Sequence, residues 1–363
     1  SSSSSSSSSS KKRKAATDPV TRNSSRSGNE SSSTSKKSRP GSDHGNARGQ
    51  DKFLCASYNV WFGPQNEATE VFPKERMAAI AQHLQEAALT SSSPSSPLQY
   101  IGFQELTPSL VGYLKPHLNQ MGYKFCTQPL GMGIGGSQFV TTTTARQEYG
   151  VGIAIPNDMS VVKTEFVPYR NSVQGRGMLY VQTETVLFVT THLESWCGPE
   201  LTGAREREEQ LVEAAAFCQR RIQQQQQSGS FGGSPPSIAI ITGDFNWDDE
   251  RKRTSKTASG PPNRKLLDLL DDGWNDSAEP FDYTYDSKEN PMLAGNLRRR
   301  FDRCIYFCRE EPKMFDTVEF RKIGKEPIVP TRIWNKRNSF NGTTRQAQVC
   351  ASDHFGIVIG FER

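Results

Sequence analysis

The sequence predicts a layered domain of the α/β (α+β) class, on three observations. From residue 53 onward, short apolar runs alternate with helical stretches and Gly/Pro/Ser breaks, as in a sheet covered by helices. Many of those runs end on a polar residue. Two of them, 178–184 and 186–192, follow one another with almost nothing between, the pattern of an antiparallel hairpin.

In chain order, the apolar run 53–59 predicts a first strand, and 73–88, which opens on Pro73, predicts a helix. A strand at 98–104 and a helix at 109–121 follow, then strands at 150–155, 178–184 and 186–192. The long stretch 204–226 reads as helix, 238–243 as strand, 264–270 as helix, and 301–307 and 355–361 as the closing strands. Three segments read as insertions forming mobile surface loops: 130–146, rich in Gly and Thr; 223–237, a Gln run followed by Gly, Ser and Pro; and 249–263, basic with Pro261 and Pro262. No internal repeat is visible.

The chain has 363 residues, and one large sandwich absorbs roughly 250–300, so one catalytic domain (51–363) plus a tail is the simpler division. Residues 1–50 hold almost no aliphatic or aromatic side chains and cannot offset ordering entropy, so a disordered, basic, Ser-rich tail is expected. The tail carries ten Lys/Arg against three Asp/Glu, or +7 of the total +5, which leaves −2 for residues 51–363. Nucleic acid would therefore be held in a local groove rather than by bulk charge. The cluster Lys11-Lys12-Arg13-Lys14 reads equally as a nuclear localisation signal or a solvated charge run. A nuclear protein, also cytoplasmic in part, is the expectation. Neither a signal peptide nor an apolar run near the roughly 18 residues of a bilayer span is seen, so no membrane partner is expected. The seven cysteines, Cys55, Cys126, Cys197, Cys218, Cys304, Cys308 and Cys350, are odd in number and lack metal-ligand spacing. They read as reduced thiols, with Cys304 and Cys308 packing in a strand.

Six strand ends carry the chemistry: Asn59; Gln104-Glu105; His192-Leu193-Glu194-Ser195; Gly243-Asp244-Phe245-Asn246-Trp247; Asp302-Arg303; and Ser352-Asp353-His354. Singly, such residues are mostly turn formers and helix caps. Together they match the needs of phosphodiester hydrolysis, which must neutralise phosphoryl oxygens, activate water and stabilise the departing oxygen. Glu105 offers a hard carboxylate for Mg²⁺, which needs only one or two from the protein. Asp244 and Asn246, two apart, are expected to project to one side and orient a water. His354 donates to a phosphate oxygen, with a buried carboxylate such as Asp302 holding its ring.

The order Asn, Gln-Glu, His-Leu, Gly-Asp-x-Asn, Asp, Ser-Asp-His resembles the endonuclease/exonuclease/phosphatase superfamily over nearly all of the folded chain. The fuller strings Ser57-Tyr58-Asn59-Val60-Trp61-Phe62, Phe103-Gln104-Glu105-Leu106-Thr107-Pro108, His192-Leu193-Glu194-Ser195, Tyr283-Thr284-Tyr285-Asp286 with Asn290-Pro291-Met292-Leu293, and Ser352-Asp353-His354-Phe355-Gly356 resemble its 5′-tyrosyl-DNA phosphodiesterases, the plant-like form more than the vertebrate one. That resemblance implies a four-layered α/β sandwich of two mostly antiparallel sheets flanked by helices. It also implies a monomeric, Mg²⁺-dependent hydrolase, with Mn²⁺ as a substitute, that removes phosphotyrosyl adducts of topoisomerase from DNA 5′ ends entering a narrow channel as single strands. By the same resemblance Glu105 binds the metal, with Asn59 and Asp353 close to it and to the phosphate. Asp244 and Asn246 position water, His192 and His354 contact the scissile phosphate, and Asp302 orients His354. Ser195 and Tyr285 line the strand channel, and Trp247 and Arg303 are further substrate-binding candidates.

Two departures stand out. Vertebrate members have Arg where this chain has Asp248, so its phosphate contact passes to Arg303 or to Arg251, Lys252 and Arg253. The Arg after His-Leu-Glu-Ser is replaced by Trp196-Cys197-Gly198-Pro199. Abasic-site endonucleases, deadenylases and lipid phosphodiesterases of the superfamily would share the same catalytic set. A non-catalytic DNA-end or partner-binding module remains the alternative outside enzymes.

Overall fold

Side-chain alternation along β1 (Lys52–Asn59) sends Phe53 and Cys55 into one core cluster and Leu54, Ala56 and Tyr58 into another. A strand buried on both faces reads as a continuous apolar run and must lie in an interior layer. β8 (Ile238–Asp244) does the same, with Ile238 and Ile240 on one side and Ala239 and Ile241 on the other.

The structure, a computed structural model, describes residues 52–63, 71–90, 98–129, 149–195, 203–224, 235–247, 264–279, 282–309, 315–337 and 343–363. All lie within the compact unit Arg48–Arg363. The remaining elements are α1 (Pro73–Leu89), β2 (Leu98–Leu106), α2 (Pro108–Gln120), β3 (Tyr123–Thr127), β4 (Gly150–Pro156), β5 (Lys163–Pro168), β6 (Gly177–Gln182), β7 (Val186–His192), α3 (Ala204–Gln224), α4 (Arg264–Asp271), β9 (Asn275–Asp276), β10 (Tyr285–Asp286), β11 (Arg298–Arg299), β12 (Asp302–Cys308), β13 (Asp316–Ile323), β14 (Ile333–Arg337), β15 (Thr344–Gln348) and β16 (Gly356–Glu362).

One six-stranded sheet runs β13-β16-β1-β2-β4-β3 and the other β5-β6-β7-β8-β12-β9, with two-stranded ribbons β10-β11 and β14-β15. Each large sheet has one parallel pair, β1–β2 or β7–β8, among antiparallel neighbours. Three cores separate four layers. Met77, Ile80 and Leu84 of α1 and Leu110, Leu114 and Leu118 of α2 cover the first sheet. Phe53, Tyr100, Phe188 and Ile359 fill the space between the sheets. Leu211, Ala214, Cys218 and Ile222 of α3 and Leu266 and Leu269 of α4 cover the second. The sheets approach each other closely at Gly102, where a Cβ would lie 2.5 Å from Thr190 Oγ1 on the facing strand.

All the strands and helices expected from sequence are present, and β6–β7 is the antiparallel hairpin. The strands without a sequence signal are short or half-exposed: β3, β5, β9 and β13 at sheet edges, and the two ribbons. An edge or ribbon strand buries too little to show a strong apolar alternation. The expected loops 130–146 and 249–263, most of 223–237, and the expected tail lie outside the described residues.

Candidate active site

Strand register gathers the polar ends. Asn59 pairs with Gln104, His192 with Asp244, and Asp244 with Asp302. Asn59 Nδ2 donates to Glu105 Oε1 (3.1 Å) at the end of the neighbouring strand and, across the sandwich, to Asp244 Oδ2 (2.9 Å). Below them Gln104 Nε2 donates to Thr190 Oγ1 (2.9 Å), pinning the sheets together just under the site. Local backbone aims two of these groups. Glu105 lies where the β2–β4 register shifts and has φ 61°; a bulge in the left-handed region turns its carboxylate out of the strand alternation. Asn246 has φ 51°, and its N–H folds back onto Asp244 Oδ1 (2.7 Å) while its amide donates to the Leu193 carbonyl (3.0 Å). Gly243 is required by contact as well as conformation: at φ 141°, a Cβ would sit 1.9 Å from the Thr191 carbonyl oxygen.

Two buried histidines flank Asp244. His354 Nδ1 contacts Asp302 Oδ2 (2.8 Å), and its Nε2 lies 3.8 Å from Asp244 and 3.9 Å from Asp353. Burial opposes charging this ring, but Asp302, by charge and hydrogen bond, with Asp353 and Asp244 behind it, drives its pKa well above the usual histidine value. His192 Nε2 lies 3.5 Å from Asp244 Oδ2, and Arg176 Nη1 approaches its Nδ1 at 2.7 Å. Burial, Arg176 and His354 hold its pKa well below the usual value. A guanidinium only donates, so the neutral His192 ring accepts at Nδ1 and carries its proton on Nε2.

The carboxylates are crowded. Asp244 is pushed up to about 6, first by burial and then by Asp302, against the pull of His354. Asp353 also rises to about 6, through burial and Glu105. Glu105 rises through burial and Asp244, despite His354 and its hydrogen bond from Asn59. Four carboxylates against one imidazolium suit a cation. Among the described residues, two donor sets have their ligand atoms within 4.8 Å of one another: Glu105, His192 and Asp244; and Asp244, Asp302 and His354.

Residues 56–354 match the model of the endonuclease/exonuclease/phosphatase family. The chain belongs to this family. Among solved structures, it is similar to D. rerio TDP2 complexed with a single-strand DNA product (20% identity, 86% of this chain and 99% of that one, TM-score 0.55). It is also similar to truncated Caenorhabditis elegans TDP2 (18%, 86% and 98%, 0.56) and to a family protein from Bacteroides thetaiotaomicron (16%, 85% and 97%, 0.52). Among curated proteins none matches. The family's phosphodiesterase fold and the strand-end cluster thus coincide in this chain.

Of the residues predicted for the family's site, Asn59, Glu105, His192, Asp244, Asn246, Asp302, Asp353 and His354 meet at this one end. Tyr285 joins them, its ring 5.0 Å from that of His354, and Ser195 lies beside Arg176 (Nη2 to Oγ 3.4 Å). Asn59 turns its amide nitrogen to the carboxylates while its oxygen accepts from Trp61 N–H (2.9 Å), so it bridges them. Two expectations need correction. Arg303 alternates to the opposite face of β12 from Asp302, fully buried on Asp276 (3.1 Å), and Trp247 is buried in the core under α3 and α4. Neither lines the site. Asp353 belongs to neither tight donor set. Asp248, Arg251, Lys252, Arg253 and Trp196 to Pro199 lie outside the described residues.

Three residues were missed. Arg176 precedes β6, and Tyr149, whose ring it covers at 4.9 Å, precedes β4. Tyr149 also stacks on Phe62 at 4.6 Å. Sequence reasoning looked for polar groups after apolar runs, but in an antiparallel pair the start of one strand lies beside the end of its partner, as Met178 lies beside Thr191. The third, Arg76 of α1, is buried and donates to the carbonyls of Val60, Trp61, Val71 and Ala351, tying the loop after Asn59 to the loop before Asp353.

Proposed function

We propose that this chain is a Mg²⁺-dependent 5′-tyrosyl-DNA phosphodiesterase that frees DNA 5′ ends of topoisomerase adducts, in the manner of tyrosyl-DNA phosphodiesterase 2. The observation that carries hydrolysis is the convergence of Glu105, Asp244, His192 and His354 within one buried cluster. What favours an aryl leaving group is the wall of Phe62, Tyr149 and Arg176 beside His192: it offers a flat apolar surface and a cation to a departing phenolate. Similarity to TDP2 structures, one holding single-strand DNA, supports a nucleic-acid strand as the rest of the substrate.

Glu105, with Asp244 in reach, would hold the ion, Mn²⁺ substituting for Mg²⁺; bound, it would neutralise phosphoryl charge. His354, charged by Asp302, donates to a non-bridging oxygen, and neutral His192 donates from Nε2 to another. Asp244, fixed by Asn59 and by the Asn246 N–H, accepts the proton of the attacking water. Ser195 and Tyr285 flank the strand, where an aromatic ring stacks on a base without reading sequence. The chain acts as a monomer, and the tail 1–50, with Lys11 to Lys14, directs it to the nucleus; deleting it leaves turnover of short substrates intact.

A panel of 5′-phosphotyrosyl oligonucleotide, abasic duplex, poly(A) and a lipid phosphodiester, each with Mg²⁺, tests the substrate. Fastest turnover is expected on the first, and faster cleavage of any other would replace this reading with that relative's activity. Glu105→Gln should still bind oligonucleotide but lose roughly 10³-fold in turnover, a loss of several kcal/mol of transition-state stabilisation. Turnover at the native rate would remove Glu105 from the site.

A further inference from the structure

His192 and Ser195 of the string His192-Leu193-Glu194-Ser195 have roles above; Glu194 has none, yet it is fully buried. Its carboxylate accepts from Ser172 Oγ (2.8 Å), Gln174 N–H (2.8 Å) and Gln210 Nε2 (2.9 Å). Ser172 Oγ in turn accepts from the Arg176 N–H (2.7 Å). A carboxylate in the loop that carries His192 therefore seats the loop that carries Arg176. A buried carboxylate needs such donors.

The consequence falls on Gln174. Its side-chain oxygen accepts from Arg176 Nε (3.2 Å) and Nη2 (2.8 Å), and also from Ser195 N–H (3.1 Å) and Oγ (2.8 Å). All four are donors, so the amide orientation is dictated: the oxygen must face them. With Nε and Nη2 held by Gln174, the remaining nitrogen, Nη1, reaches His192 Nδ1.

We propose that Gln174 is a positioning residue: its oxygen, seated through the Glu194 carboxylate, fixes Arg176 against His192 and Ser195 at the strand channel simultaneously. This rests on the phosphodiesterase reading of the site and not on the tyrosyl-DNA substrate. One acceptor thereby couples the reacting centre to strand placement, and replacing it disturbs both.

The test compares the full chain with Gln174→Met, similar in size but without the acceptor, Gln174→Glu, which keeps it, and Glu194→Gln. Each is assayed with Mg²⁺ on a bis-nitrophenyl phosphodiester and on a 5′-phosphotyrosyl oligonucleotide. Gln174→Met and Glu194→Gln should lower kcat about tenfold on both substrates, raise KM only for the oligonucleotide, and melt near the native temperature. Gln174→Glu should recover most of the lost kcat. Native kinetics in Gln174→Met, or a lowered melting temperature alone, would overturn the proposal. A native chain that cleaves the nitrophenyl diester and not the oligonucleotide overturns the substrate reading only, and the kcat comparison on the small substrate still decides this one. Phenylglyoxal labelling mapped by mass spectrometry reads the same contact without turnover. Arg176 should be protected in the native chain and in Gln174→Glu, and several-fold more reactive in Gln174→Met; equal labelling in all three would refute the hold on Arg176.

Discussion

Two imidazoles approach the same oxygen of Asp244, His192 at 3.5 Å and His354 at 3.8 Å, and both are buried. Burial alone would hold each neutral. They differ in what stands behind the ring: Asp302 at His354 Nδ1, Arg176 at His192 Nδ1. The carboxylate reverses the burial effect and the guanidinium reinforces it. Charge in this site is therefore set by the far nitrogen of each ring, which lets one oxygen be shared by a cationic and a neutral donor without repulsion between two imidazolium ions.

Asp302→Asn attacks that difference most directly. Without the carboxylate, burial dominates at His354 and its pKa falls, so the imidazolium is lost at neutral pH. Turnover should drop by roughly 10²–10⁴ at pH 7, the range one proton-donating group supplies. The alkaline limb of the native pH profile, set by loss of the His354 proton, should move to lower pH. An unmoved limb would mean that another group sets it.

Arg176→Met probes the other ring with a smaller expected loss, about ten- to a hundredfold at neutral pH, from a lost cation beside His192 and a freed His192 Nδ1. Removing a cation raises the His192 pKa, so the ring begins to charge on the acid side. The acid limb should then shift to higher pH, opposite in direction to the Asp302→Asn effect. Limbs that shift the same way in both variants would break the contrast between the two histidines.

The legibility of these groups in the sequence followed the strands. Asn59, His192 and Asp244 end central strands, whose two-sided burial writes an apolar run with a visible stop, and His354 lies two residues before β16. Gln174, Arg176 and Tyr149 come from loops with no such run, and nothing local distinguishes them from surface residues. Arg303 and Trp247 mislead for the converse reason. Adjacency to Asp302 along a strand means the opposite face, and the left-handed backbone at Asn246 precedes Trp247, which packs into the helical layer instead. The bulge at Glu105 is invisible in sequence because the chain's φ there answers to the neighbouring strand.

The smallest effect concerns the carboxylates between the rings. Asp244 and Asp353 hold their protons to about pH 6 when folded, against ordinary values near 4. Between those limits the folded chain binds more protons than the unfolded one, so the metal-free protein loses stability as pH rises from about 4 through 6. On the proposed reading Mg²⁺ would compete for the deprotonated form, and its stabilisation would grow with its affinity as RT ln(1 + [Mg²⁺]/Kd). The melting-temperature gain from adding Mg²⁺ should therefore be larger at pH 7.5 than at pH 5, by a few degrees. In Asp302→Asn the gain should survive, since Asp302 acts on His354, whereas in Glu105→Gln it should shrink at both pH values. A gain equal at the two pH values in the native chain would place the ion away from these carboxylates, and the shared Asp244 oxygen would then serve the histidines alone.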